Sequence, residues 1–240
     1  GNFENEIGIA QFNKQYNLIQ NNILWKSDNL SIDPAIIKIG EEYYFTATEI
    51  IGNINNSDVN QENGQYTVKL YKTSDLINIE YISDIVSEQY NIEDVDLIRL
   101  DNGLGLVYEK EIVDKGGSSI VIARSESDDY KDWETGRVLE NPDCDHEPAS
   151  FFWNGDETYS LYYSCDKENL GESYMGGNIY ESKFDKNFKK LSVQKINTET
   201  NTGILLYDVQ DEDKKISFLF AKNYLTDCDL VKETSHKQKK

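Results

Sequence analysis

Short apolar runs separated by polar turns recur along the whole chain, and within most runs hydrophobic and polar positions alternate, the period of a β-strand. PAIIKI (34–39), DLIRL (96–100) and PASFFW (148–153) are each followed by a tight polar turn, GEE, DNG or NGDE. An aromatic run comes next in each case: YYFTAT (43–48), LGLVYE (104–109) or TYSLYYS (158–164). After a variable loop each copy continues into a third and a more amphipathic fourth run, at 66–82, 119–139 and 178–196. A weaker fourth copy starts at TGILLYDVQDEDKKISFLFAKN (202–223).

The copies open on Asp33, Asp94, Glu147 and Thr202, which fall 61, 53 and 55 residues apart. Four strands per copy and a period of this size predict an all-β fold, a β-propeller of four-stranded antiparallel blades with about four countable repeats. The N-terminal stretch IGIAQFNKQYNLIQNNIL (7–24) has the pattern of a copy's ending, which the C-terminal copy lacks. The segment 7–28 is therefore expected to close the last blade of a single domain spanning 1–240, removing an open sheet edge. A pair of β-sandwiches is the competing architecture, and the repeated phrase argues against it.

Composition narrows the partners. Hydrophobic residues make up 38 %, enough for a packed core in a chain of 240 residues, and aromatics 12 %, mostly Tyr, which suits strands. A formal net charge of −20 repels phosphate backbones and anionic membranes, leaving neutral ligands, sugars and cations. No apolar run approaches the ~20 residues that span a bilayer. Cys144, Cys165 and Cys228 form no CxxC pair, and with only His146 and His236 a zinc centre is not expected. Folding the third copy's hairpin about Gly155 brings residue 165 opposite 146, so a Cys144–Cys165 disulfide is within reach and would suit an exported protein. Gly1 is not a natural initiator, which leaves room for a removed export signal, and the expectation is an extracellular, cell-surface or periplasmic monomer.

In a propeller the innermost strands line a central axis, so Asp33, Asp94 and Glu147 are expected at one mouth. The antiparallel second strands return to it, bringing Glu49, Glu109 and Cys165. Converging carboxylates disfavour one another's ionisation, and a fold that keeps them does acid–base work or holds a cation. The bland alternatives are a turn residue for Asp33, a cation or amide contact for Glu147, a solvated run (EDVD) for Asp94 and a packed histidine for His146.

The Asp33-Pro34 phrase with its aromatic hairpin, followed by Glu147-Pro148 and YSLYYS, resembles glycoside hydrolase family 43 and its propeller relatives in families 32, 62, 68 and 117. The resemblance runs through most of the repeats and is specific at three short motifs. It implies a five-bladed propeller and an inverting glycoside hydrolase acting on a plant or bacterial glycan. It further implies Asp33 as general base, Glu147 as general acid and Asp94, with Asp96 next, as the residue that tunes the acid. His146, Glu109, Glu49, Asp96, Tyr108 and Phe152 are the expected substrate contacts. No organic cofactor and no metal ligand set is implied, although a single structural cation such as calcium in the channel is compatible with the fold. The alternative function is a carbohydrate-binding propeller or scaffold without catalysis. The same carboxylates would also serve glycosyl transfer.

Overall fold

The computed structural model describes residues 5–13, 15, 17–52, 64–111, 117–167, 177–198, 203–212, 215–222 and 229–236. Among them there is no helix. β1 (Asn5–Phe12) and β2 (Leu18–Ser27) form a hairpin. The first blade follows, with an inner strand split into β3 (Leu30–Ile32) and β4 (Ile36–Ile39), then β5 (Glu42–Ile51), β6 (Gln65–Thr73) and β7 (Glu80–Glu88). The second blade is β8 (Asn91–Leu100), β9 (Gly103–Glu111), β10 (Ser118–Ser125) and β11 (Trp133–Glu140). The third is β12 (Asp145–Trp153), β13 (Thr158–Asp166), β14 (Asn178–Asp185) and β15 (Lys190–Lys195). The fourth has three strands, β16 (Leu205–Glu212), β17 (Lys215–Lys222) and β18 (Asp229–His236). All pairings are antiparallel, and apart from β3, which shares β5 with β4, they join neighbours in sequence, the meander expected of propeller blades.

Four sheets match the four countable repeats, and the fifth blade implied by the resemblance is not among the described residues. Among the described residues, no strand pairing joins 7–28 to the fourth sheet. β2 pairs with β1, and the hairpin turns Ile7 and Leu24 onto Phe45, Ala47 and Tyr71 of the first blade.

The core is a row of seams. Because successive side chains of a strand point to opposite faces, each second strand feeds two seams. In β9, Leu104, Leu106 and Tyr108 face the first blade while Val107 faces the third. In β13, Leu161, Tyr163 and Cys165 face the second blade and Tyr162 the fourth. This double burial explains why the second strands read as near-continuous apolar and aromatic runs. Their hairpin turns need unusual backbone only locally: Gly103 has φ +109°, and a Cβ there would lie 2.2 Å from Ser125 Oγ.

Every inner strand is kinked near its middle. β3 and β4 are separated at 33–35, and the ladder slips between Glu93 and Asp96, between Pro148 and Ser150 and between Leu206 and Asp208. A kink frees backbone N–H groups that must find acceptors. Side chains of the preceding blade supply them: the Asp94 N–H donates to Asp33 Oδ2 (3.2 Å), Phe151 to Asp96 Oδ2 (3.0 Å) and Val209 to Ser150 Oγ (3.1 Å). Each blade is thereby set in register against the next.

Candidate active site

The kinks decide which carboxyls reach the axis. Asp33 and Asp94 occupy the same point of successive kinks and share the same left-handed conformation, φ +45° and +46°. Asp tolerates this region better than most residues, at some cost, and such strain concentrates at functional sites. Counting along the second strands, Ile32, Glu93, Glu147 and Leu205 pair with Thr48, Glu109, Ser164 and Ala221 at equivalent positions. Glu147 is therefore the counterpart of Glu93 and stands one residue before the position of Asp33 and Asp94. An alignment on the prolines misses this because the third blade's kink, which takes up the same one extra residue, carries its proline one place earlier, with Pro148 at the position of Asp33 and Asp94. In the fourth blade the position belongs to Leu205; Thr202, expected there, lies outside the described residues, as does Cys228.

Asp94, Glu109 and Glu147 nonetheless meet: one oxygen of each lies within 4.8 Å of the others. Asp94 receives a side-chain hydrogen bond from Glu147, so the two share a proton as carboxyl and carboxylate. Burial pushes Asp94 up to about 6 even though that bond pulls it down. Glu109, 4 % exposed and hydrogen-bonded to Ser118, is held well above the usual carboxylate range by burial and by the charges of Glu147 and Asp94. Asp33 is raised by burial, opposed by the backbone N–H of Asp94 and its own.

Two acidic residues that sequence reasoning passed over complete the lining. Glu93 is pushed to about 8 by burial and by Asp33, Glu111, Glu147 and Asp145. Asp145 is pushed to about 7 by burial, then by Glu147, Glu111 and Asp166. The available signal for Glu93 was its place beside Asp94 at the point where the strand must kink.

Several expected contacts sit elsewhere. Glu49 is buried on the face of β5 turned from the second blade, where its Oε2 accepts from Lys69 Nζ (2.9 Å) and Asn29 Nδ2 (3.1 Å). Thr48, one residue earlier, holds the position equivalent to Glu109, and a one-residue step reverses the face. Tyr108 is fully buried in the first seam and presents no ring face to a ligand. Phe152 packs on Tyr162 at 6.0 Å, in the third seam. Asp96 caps Phe151, and burial raises it to about 7.

His146 is 1 % exposed and inaccessible to a sugar; its Nδ1 lies 2.7 Å from the carbonyl oxygen of Ser118, and burial lowers its pKa. It acts instead as a clamp for the strand carrying Glu147. The His146 N–H donates to Ser118 Oγ (2.7 Å), and the Ser118 N–H donates to the Cys144 carbonyl (3.0 Å). Cys144 is disulfide-bonded to Cys165, which ties the beginning of β12 to the end of β13. The two sulfurs near His146 thus bond to each other and do not form a metal site.

No family model and no curated protein matches the chain. Solved structures do. A thermostable family-43 glycoside hydrolase is 18 % identical, with TM-score 0.56 over 80 % of this chain and 64 % of its own. Its fold is that of the family 43 glycoside hydrolases. The endo-arabinase of Bacteroides thetaiotaomicron has 14 % identity and TM-score 0.57 over 85 % of this chain and 75 % of its own. The α-L-arabinofuranosidase of Lactobacillus brevis has 12 % identity and TM-score 0.61 over 90 % and 78 %. The chain spans just under two thirds of the first of these family 43 structures. At such identities the likeness establishes the fold.

Proposed function

We propose that the protein is a glycoside hydrolase, with Glu147 as general acid, Asp94 as the residue that orients and tunes it, and Asp33 as the base that activates water. The observation that carries this reading is the hydrogen bond from Glu147 to Asp94, beside an Asp33 that is itself bonded to the Asp94 backbone. A general acid must hold its proton near working pH, and a carboxyl donating to a buried carboxylate is placed to do so. Asp33 accepts two backbone N–H bonds, which favour its ionised form against burial, as a base requires. The reaction proposed is inversion: water attacks the anomeric carbon as Asp33 takes its proton, and Glu147 delivers its proton to the departing oxygen. Arabinans and arabinofuranosides head the substrates to test, since one compared structure is named an endo-arabinase and another an α-L-arabinofuranosidase.

The test is product release from arabinan and a panel of other glycans by wild type, Glu147→Gln and Asp33→Asn, with the anomer of the first product followed by NMR. Turnover lost by at least ~10³-fold in both variants supports the assignment. Glycan binding without turnover by wild type would replace it with a carbohydrate-binding propeller. Turnover that survives in Glu147→Gln would remove Glu147 as the acid.

A further inference from the structure

The step from the first blade to the second carries Asp33 onto Asp94, and the step from the second to the third carries Glu93 onto Glu147. The hydrogen-bonded pair Asp94–Glu147 therefore has an image one blade earlier, the pair Asp33–Glu93. Among charged neighbours, Asp33 acts most strongly on Glu93. The two pairs differ in one respect. Glu147 is bonded to Asp94, whereas the Oε1 of Glu93 is buried with no hydrogen-bond partner among the described residues. A buried oxygen in that condition costs about 1–3 kcal/mol, a penalty removed when a ligand supplies the missing bond.

We propose that Glu93 is a further ligand-binding residue, whose unengaged carboxyl oxygen takes a sugar hydroxyl beside Asp33. The inference rests on the glycosidase reading of the same pocket. The groups that face Glu93 are Asp33 from the link between β3 and β4, Glu109 and Glu111 from β9, Asp145 and Glu147 from β12, and Tyr66 from β6. All but Tyr66 are carboxyls, so Glu93 keeps its proton to about 8 and at neutral pH is a hydroxyl donor as well as an acceptor. Asp33, its neighbour, stays the acceptor. A sugar hydroxyl bridging the two would receive one hydrogen bond and donate the other, which selects for the orientation of that hydroxyl.

The experiment titrates arabinobiose, xylobiose, galactobiose and mannobiose by calorimetry into Glu147→Gln protein, and into the same protein carrying Glu93→Ala or Glu93→Gln. The expected result is a loss of affinity of about tenfold or more with Glu93→Ala. Glu93→Gln, which keeps a donor and an acceptor in the same shape, should stay within about threefold at neutral pH. Affinity should fall as pH rises through about 8 when Glu93 is present and stay level there when it is Gln. Unchanged affinity in folded Glu93→Ala, or an alkaline fall that persists in Glu93→Gln, overturns the proposal and leaves the glycosidase reading standing. If none of the disaccharides binds and wild type turns over no glycan, the underlying reading fails and takes this proposal with it.

Discussion

Asp96 offers a measurement of how strongly the seams exclude water. Its carboxyl bridges two blades, accepting the N–H of Phe151, and burial lifts it from 3.8 to about 7. In the unfolded chain it titrates near 3.8, so the folded state binds the proton more tightly. A carboxyl raised in this way leaves stability untouched below about 4 and withdraws it as pH climbs toward about 7, where the folded form also ionises. The full shift corresponds to about 4 kcal/mol at about 1.4 kcal/mol per pKa unit, and relaxation around the charge reduces this to roughly 2–4 kcal/mol. Asp96→Asn keeps an oxygen for the Phe151 N–H and removes the charge. Urea denaturation of wild type and variant across this range should therefore show the variant gaining on wild type, by about 2–4 kcal/mol in all, with most of the gain accumulated by pH ~7. A stability difference that stays flat with pH would refute the idea that this seam is dry and the charge unwelcome.

Two further outcomes follow from the covalent and backbone constraints. Unfolded, unreduced protein should expose one reactive thiol, that of Cys228, and the Cys144→Ser, Cys165→Ser double variant should lose about 3 kcal/mol in denaturant, given a 21-residue separation; three reactive thiols would exclude the disulfide. Gly103→Ala should lower stability by about 2–3 kcal/mol in the same assay, because the added methyl meets Ser125 Oγ at 2.2 Å and the backbone is left-handed; a loss within ~0.5 kcal/mol would show that the turn relaxes freely.

The blades were legible because strand pairs write their period into the sequence, and because burial on both faces makes the second strands conspicuous. Convergence of Asp94, Glu109 and Glu147 was legible for the same reason: strand openings and returns share one end of a blade. What the alternation could not show was the kink. Each kink adds one residue to its inner strand, and nothing in the alternation marks where within it a proline or a carboxyl falls. Pro148 stands one place earlier in its kink than Pro34, which sets Glu147 in register with Glu93; Leu205 holds the corresponding position in the fourth blade, and Glu49 lies one residue past Thr48, on the other face of β5. Aromatic residues misled in another way. Tyr108 and Phe152 read equally as sugar platforms or as seam filling, and the neighbouring blade, absent from any local pattern, decided for filling.

The row of seams has a consequence for where change is tolerated. Every carboxyl of the pocket comes from the first three blades, and the fourth brings Leu205 to the corresponding point. Its side-chain ties to the third blade among the described residues are neutral ones, the Val209 N–H on Ser150 Oγ and the Leu206 N–H on Ser164 Oγ. The fourth blade is thus a bookend that can drift in sequence, accept insertions or be exchanged for another β-meander while the proton-carrying pairs stay as they are. Innovation in ligand choice has its freest ground there, one seam away from the chemistry.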